Sequence, residues 1–146
     1  MDNIKGKHIF ITGAGRGLGA AFAVVFSDLG ANVTISGRNP ENLYSLAESI
    51  RLRCGTKPET VVMDMSDISE VTTFGKKCRD ENRPLDILIN NAATWLSGPM
   101  DSHDALSISQ TITANITGTL LLTRGLLPLL KKSKAADIVN MVSISG

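Results

Sequence analysis

The sequence predicts an α/β protein built on a Rossmann-type, doubly wound parallel sheet of five strands in the order 3-2-1-4-5. Three observations predict it. Short apolar runs alternate with amphipathic helical patterns along the whole chain, as parallel strands joined by crossover helices require. The first apolar run breaks into four glycines within seven residues, Gly13, Gly15, Gly17 and Gly19, and a helical pattern follows directly. The fourth apolar run, Leu85-Asp86-Ile87-Leu88-Ile89, reads as a strand covered on both faces.

The elements follow in order. The first strand is His8 to Thr12. The first helix runs from about Gly17 to Asp28, with Leu18, Phe22, Val25, Phe26 and Leu29 expected on one buried face and Gly30 at its end. The second strand is Asn32 to Ser36. Asn39-Pro40 then supplies an N-cap and a first-turn proline to a second helix. Its buried face is Leu43, Leu46, Ala47 and Ile50, and Gly55 follows its end. The third strand is about Glu59 to Met63. Ser66 is the expected cap of a third helix with Val71, Phe74 and Cys78 inward. After Pro84 comes the fourth strand, Leu85 to Ile89. A helical region covers about Asp104 to Leu130, bent near Gly118, Gly125 and Pro128. The fifth strand is Asp137 to Val142. Right-handed crossovers give the stated strand order and put the topological switch point between strands one and four, where ligands bind in such sheets.

Bulk properties exclude several classes. With 146 residues the chain is one domain, residues 1–146, with room for one core. The net charge is +1, and acids and bases are scattered. No basic stripe suggests nucleic acid. Cys54 and Cys78 lack metal-type spacing, so no metal is expected and both read as reduced thiols of a cytoplasmic protein. The start, M-D-N-I-K-G-K-H, has no signal or transit pattern. No run approaches the ~18 apolar residues of a membrane span. The longest apolar region, Leu120 to Leu130, is interrupted by Thr123, Arg124, Gly125 and Pro128.

The glycine-rich turn carries the functional reading. Glycines allow a tight turn and close backbone approach, and the following helix N-terminus offers unpaired N–H groups and partial positive charge to a dinucleotide pyrophosphate. The general fingerprint G-x-G-x-x-G/A is met by Gly15, Gly17 and Ala20. The tighter pattern T-G-x-x-x-G-x-G is met by Thr12, Gly13, Gly17 and Gly19. The bland alternative is a strand–helix turn with no ligand. At these residues the sequence resembles the short-chain dehydrogenase/reductase family. The resemblance assigns Thr12, Gly13, Gly15, Arg16, Gly17, Leu18 and Gly19 to a cofactor cradle.

The end of the second strand reads Ile35-Ser36-Gly37-Arg38-Asn39. An NAD-binding unit places a carboxylate about 20 residues past the glycines for the ribose 2′-hydroxyl. Here Arg38 stands there instead, and Arg16 can approach the same end. Two guanidiniums favour a 2′-phosphate, with Ser36 able to add a hydroxyl, so NADP is preferred over NAD. Two solvated surface arginines are the competing reading.

Further marks carry the resemblance across about residues 5 to 146. Asp64 corresponds to the family residue that meets the adenine amino group, with Met65 beside it. Asn90-Asn91-Ala92-Ala93 matches the family's N-N-A-G with alanine at the last position, and assigns Asn91, Ala92 and Ala93 to the cofactor ribose side. Asn115 in T-A-N-I-T-G matches the catalytic helix asparagine that holds a relay water. I-V-N-M-V-S matches the family's I-V-N-x-S-S, with Ser143 on the catalytic serine that polarises a carbonyl and Ser145 a weaker candidate. Trp95, Leu96 and Met100 could wall an apolar substrate pocket, and a surface loop accounts for them as well.

The family's Tyr-x-x-x-Lys acid/base pair has no match here. The one tyrosine is Tyr44, followed four residues later by Glu48. The expectation is a partial domain, incomplete at its C-terminal side, with the fifth strand left as an edge. The resemblance implies hydride transfer between NADP(H) and a small carbonyl or alcohol, and a homo-oligomer in the full-length form. The alternatives are an inactive NADP-binding or interaction module, and a different Rossmann user such as a flavoprotein or methyltransferase.

Overall fold

A computed structural model describes residues 4–143. In chain order the elements are β1 (His8–Ile11), α1 (Gly17–Asp28), β2 (Asn32–Gly37), α2 (Pro40–Cys54), β3 (Glu59–Val62), α3 (Ile68–Asp80), β4 (Ile87–Asn90), α4 (Ala105–Ile112), a π-helical turn (Thr113–Gly118), α5 (Thr119–Leu130) and β5 (Asp137–Asn140). All four ladders are parallel and the order is β3-β2-β1-β4-β5. The fold class read from the sequence is therefore the one observed.

Alternation along the central strands divides the core in two. Ile9, Ile11, Ile87 and Ile89 turn to one side and pack with Ala23 of α1 and Leu43, Ala47 and Ile50 of α2. Phe10 and Leu88 turn to the other side, where Val71 and Cys78 of α3 meet Leu122, Leu126, Leu129 and Leu130 of α5. Both faces of β4 are covered, and all four of its residues are buried, as its unbroken apolar run requires.

Helix α2 follows the sequence reading closely. The Asn39 side chain accepts from the Asn42 N–H at 2.9 Å, Pro40 opens the helix, and Gly55 ends it in the left-handed conformation. Helix α1 does not. Its sheet-facing residues are Gly19, Ala23 and Ser27. Leu18 and Val25 are about half exposed at 53% and 52%, while Phe22 and Phe26 are partly buried against one edge of the core. The large residues were expected inward, but the helix begins directly on the glycine turn. It therefore lies too close to the sheet for anything but small side chains.

The third helix is capped by Asp67, not Ser66. The Asp67 carboxylate accepts from the Glu70 N–H at 3.0 Å, while the Ser66 N–H and hydroxyl both donate to Asp64. The long helical region is interrupted at Thr113–Gly118, by the π turn, and Gly125 and Pro128 lie inside α5. At Gly125 the helix crosses α3 closely. A Cβ on Gly75 would stand 3.3 Å from the Gly125 Cα, and Arg79 donates to the Gly125 carbonyl at 2.8 Å. Strand β2 runs one residue further than expected, β4 starts at Ile87 instead of Leu85 and ends one residue later at Asn90, and β1, β3 and β5 stop short of the expected Thr12, Met63 and Val142. Strand β5 pairs on one side only, with β4, and Ile138 and Val139 are each 40% exposed. That agrees with the expected edge position.

Asp86, just before β4, ties three segments together. Its carboxylate accepts from the His8 N–H at 2.8 Å and from the Ser133 hydroxyl at 2.5 Å. Burial alone would push this carboxyl up, but the two hydrogen bonds outweigh it and hold it below the ordinary value. A depressed folded-state pKa gives stability that is present above the unfolded pKa and lost as pH falls through the folded one. Asp86→Asn should therefore flatten the acid limb of the stability curve below about pH 4. Urea unfolding of both chains from pH 6 to 2.5 checks this, and parallel limbs would refute it.

Candidate functional site

The strand order reverses between β1 and β4, and there the loop after β1 opens a cleft of about 440 Å3 at the carboxyl ends of the strands. Strand pairing forces the loop's position. The Thr12 N–H donates to the Ile89 carbonyl at 3.0 Å, and the Ala14 N–H to the Ser36 carbonyl at 2.8 Å. The turn is thus pinned to both neighbours of β1.

Asn91 locks the turn from the β4 side. Its side-chain amide donates to the carbonyls of Thr12 at 3.0 Å and Gly13 at 3.1 Å. In return, the backbone N–H groups of Asn91 and Ala92 both donate to the Thr12 hydroxyl at 3.0 Å. The approach is so close that only glycine fits. Gly13 has φ +65°, and a Cβ there would lie 2.6 Å from the Ala92 Cα; one on Gly19 would lie 2.5 Å from the Asn91 Nδ2.

The expected cofactor residues divide by position. Gly13, Gly15, Arg16, Gly17, Ser36, Arg38, Asp64, Met65, Asn91, Ala92 and Ala93 all line the cleft, whereas Thr12, Leu18 and Gly19 do not. Thr12 and Gly19 belong to the lock behind the turn, and Leu18 lies on the outer side of α1. Gly37, Asn39, Asn42, Met63, Thr94 and Ala114 also line the cleft, and the sequence gives none of them a cofactor role. Asn42 could have been found, because a helix capped at Asn39 directs its first turn at the glycine loop.

Electrostatics are uneven along the cleft. Arg16 and Arg38 are both exposed, and among the described residues neither makes an ion pair. Among the described residues the one carboxylate lining the cleft is Asp64, whose Oδ1 accepts from the Ser66 N–H and hydroxyl at 2.8 Å each. A smaller recess beside it is lined by Arg38, Asp64, Leu96, Gln110 and Thr111. Leu96 thus sits beside the Arg38 and Asp64 end. Trp95 and Met100 are 69% and 73% exposed and line neither space.

Asn115 lies in the π turn. Its Oδ1 accepts from the Thr94 N–H at 2.8 Å, and its Nδ2 donates to the Thr94 carbonyl at 2.9 Å. Both ends of the amide therefore fasten the turn to the segment after β4. Gly118 ends the turn against the other wall, where a Cβ would fall 2.0 Å from the Met65 carbonyl oxygen. Asn90 and Asn140 are partners on β4 and β5, and the Asn90 amide donates to Asn140 at 2.8 Å and to Thr123 at 3.1 Å. Ser143 follows β5 at the same end of the sheet, three residues past Asn140, and is exposed. Ser145 lies outside the described residues. Tyr44 is 54% exposed on α2 and is not part of the cleft lining.

Comparison with known proteins places this architecture. The family model described as short chain dehydrogenase matches residues 7–146. An uncharacterized oxidoreductase of Staphylococcus saprophyticus is 31% identical over all 146 residues, and the chain spans 62% of that relative's length. A short chain dehydrogenase from Shigella flexneri, solved in complex with NADP, is 28% identical; the match covers 98% of this chain and 62% of that one, with a TM-score of 0.86. A short chain dehydrogenase from Escherichia coli, solved in complex with NADPH, is 29% identical with a TM-score of 0.86, covering 98% of this chain and 61% of that one. No described helix is long and apolar enough to cross a membrane.

Proposed function

The chain belongs to the short-chain dehydrogenase family, and from that premise we propose that it holds NADP(H) in the β1–β4 cleft for hydride exchange with a small carbonyl or alcohol. The observation that carries the choice of cofactor is the pair of arginines, Arg16 and Arg38, free of ion pairs among the described residues and lining one end of the cleft. A 2′-phosphate there gains charge-assisted hydrogen bonds. The two structural neighbours solved with NADP and NADPH support the reading.

The residues present fit such a group. At Gly17 nothing lies within 4 Å of the position a Cβ would take, so the turn presents bare, open backbone to the cleft, as phosphates need. The backbone of Gly15, Arg16 and Gly17, with the N-terminus of α1, would hold the pyrophosphate, which leaves the Arg16 side chain for the 2′-phosphate. Asp64 and Met65 would border the adenine, and Asn91, Ala92 and Ala93 the second ribose. The cofactor supplies the hydride. Ser143 would donate a hydrogen bond to the substrate oxygen. The Asn115 side chain is committed to Thr94 in both directions. A relay water at this position would therefore be held by a backbone carbonyl of the π turn, where the usual i→i−4 ladder is broken.

The test is a pair of substitutions. Arg38→Ala should weaken NADPH binding about tenfold or more, and Arg16→Ala/Arg38→Ala further, because hydrogen bonds to charged groups contribute about 1.5–3 kcal/mol each. NADH affinity should change less than about twofold. Isothermal titration of each variant decides it, and equal loss for both dinucleotides would sink the assignment.

A further inference from the structure

A second cavity, of about 240 Å3, lies toward the N-terminal ends of β1 and β3, at the other end of the strands from the dinucleotide cleft. The two share no lining residue. Its apolar walls on this face of the sheet are Phe10 of β1, Phe74 of α3, Leu85, and Leu126 and Leu129 of α5. Four of these five are at least nine-tenths buried, Phe74 being the exception, and the Phe10 and Phe74 rings stand 5.2 Å apart. This part of the wall is apolar and presents ring faces and edges, while Thr34, Glu59 and Arg83 give the recess a polar side of similar extent.

The polar lining is already neutralised. Arg83 pairs with Glu59 at 2.5 Å, and Glu81 approaches the same guanidinium at 3.3 Å. Thr34 donates to the second Glu59 oxygen at 3.3 Å. Cys78 is 4% exposed, and burial pushes its thiol up, which keeps it uncharged near pH 7. A carboxylate ligand would have to compete with Glu59 for Arg83. An uncharged one leaves the pair intact and can donate to a Glu59 oxygen. The volume exceeds the roughly 150 Å3 apolar cavity known to accept benzene.

We propose that this cavity is a second binding site, for a small neutral aromatic of one or two fused rings carrying a single hydrogen-bond donor. It does not depend on the dinucleotide reading, since it stands on different residues. Helix α5 walls the cavity through Leu126 and Leu129 and continues from the π turn that holds Asn115. An occupant would therefore touch an element shared with the cleft.

Cys78 provides the readout. In a Cys54→Ser background of the full chain, whose serine can keep the bond to the Ile50 carbonyl, alkylation reports Cys78 alone. Indole, the probe, should slow alkylation saturably, by about fivefold or more, and shift the amide NMR signals of Cys78, Leu85 and Leu126 without moving those of Gly13 and Ala92. Benzoate should do neither. Leu126→Phe, which fills the cavity, should abolish the protection. An alkylation rate indifferent to indole up to its solubility overturns the site, whether or not the variant folds. Equal protection by benzoate overturns the ligand class.

Discussion

Gly118→Ala should lower the unfolding free energy by about 3 kcal/mol, near the upper end of what overpacking costs. The added methyl would stand 2.0 Å from the Met65 carbonyl oxygen and 3.3 Å from the Thr113 carbonyl oxygen. Both are backbone atoms, so no rotamer change relieves the contact. Either the π turn moves away from Met65 or the segment after β3 moves with it. The second consequence is functional, because Met65 and Ala114 both line the cleft. Urea unfolding with the slope held constant measures the effect. A loss under about 1 kcal/mol would mean that the turn and the Met65 segment can slide apart freely.

Gly13→Ala should abolish dinucleotide binding as well as destabilise the chain. Two costs combine. A non-glycine residue at φ +65° pays about 1–2 kcal/mol, and its Cβ would meet the Ala92 Cα at 2.6 Å and the Ala92 nitrogen at 2.9 Å. Relief requires the loop to lift off the β4 exit, which breaks the Asn91 lock beneath it. Gly17→Ala is the control. It too has a positive φ, of +59°, but nothing lies within 4 Å of its would-be Cβ. It should show the conformational cost alone. If the two alanines lower Tm equally, the close contact with Ala92 contributes nothing.

Much of this arrangement was legible in the sequence because its causes are local. A glycine run after an apolar strand, an Asn-Pro opening a helix and an unbroken Ile87-Leu88-Ile89 each have one comfortable backbone solution. What was not legible depended on distances between elements. By size alone the large side chains of α1 point to burial, and the contacts of its N-terminus reverse that. Gly19, Ala23 and Ser27 face the sheet because the Asn91 lock draws the helix start against it. Ser66 and Asp67 are both good caps, and Asp64 decides between them by binding Ser66. The π turn follows from an asparagine amide that needs two backbone partners on Thr94, a residue 21 positions earlier in the chain. Spacing alone marked Asn115 without showing that its side chain is a fastener.

Contacts between elements also sort the glycine motif by task. Gly15 and Gly17 line the cleft, Gly19 makes room for the Asn91 amide, and Gly13 does both. Family motifs group these residues under one heading, while the contacts separate those able to touch a cofactor from those that hold the loop in place.

Above all, the proposed role of this cleft is to select a 2′-phosphate. Parallel calorimetric titrations of the unsubstituted chain with NADPH and NADH, at one fixed low salt concentration, test it most directly. The arrangement of Arg16 and Arg38, with no carboxylate at the end of β2, predicts NADPH binding at least about tenfold tighter, a difference of about 1.4 kcal/mol. Equal affinities, or tighter binding of NADH, would contradict it.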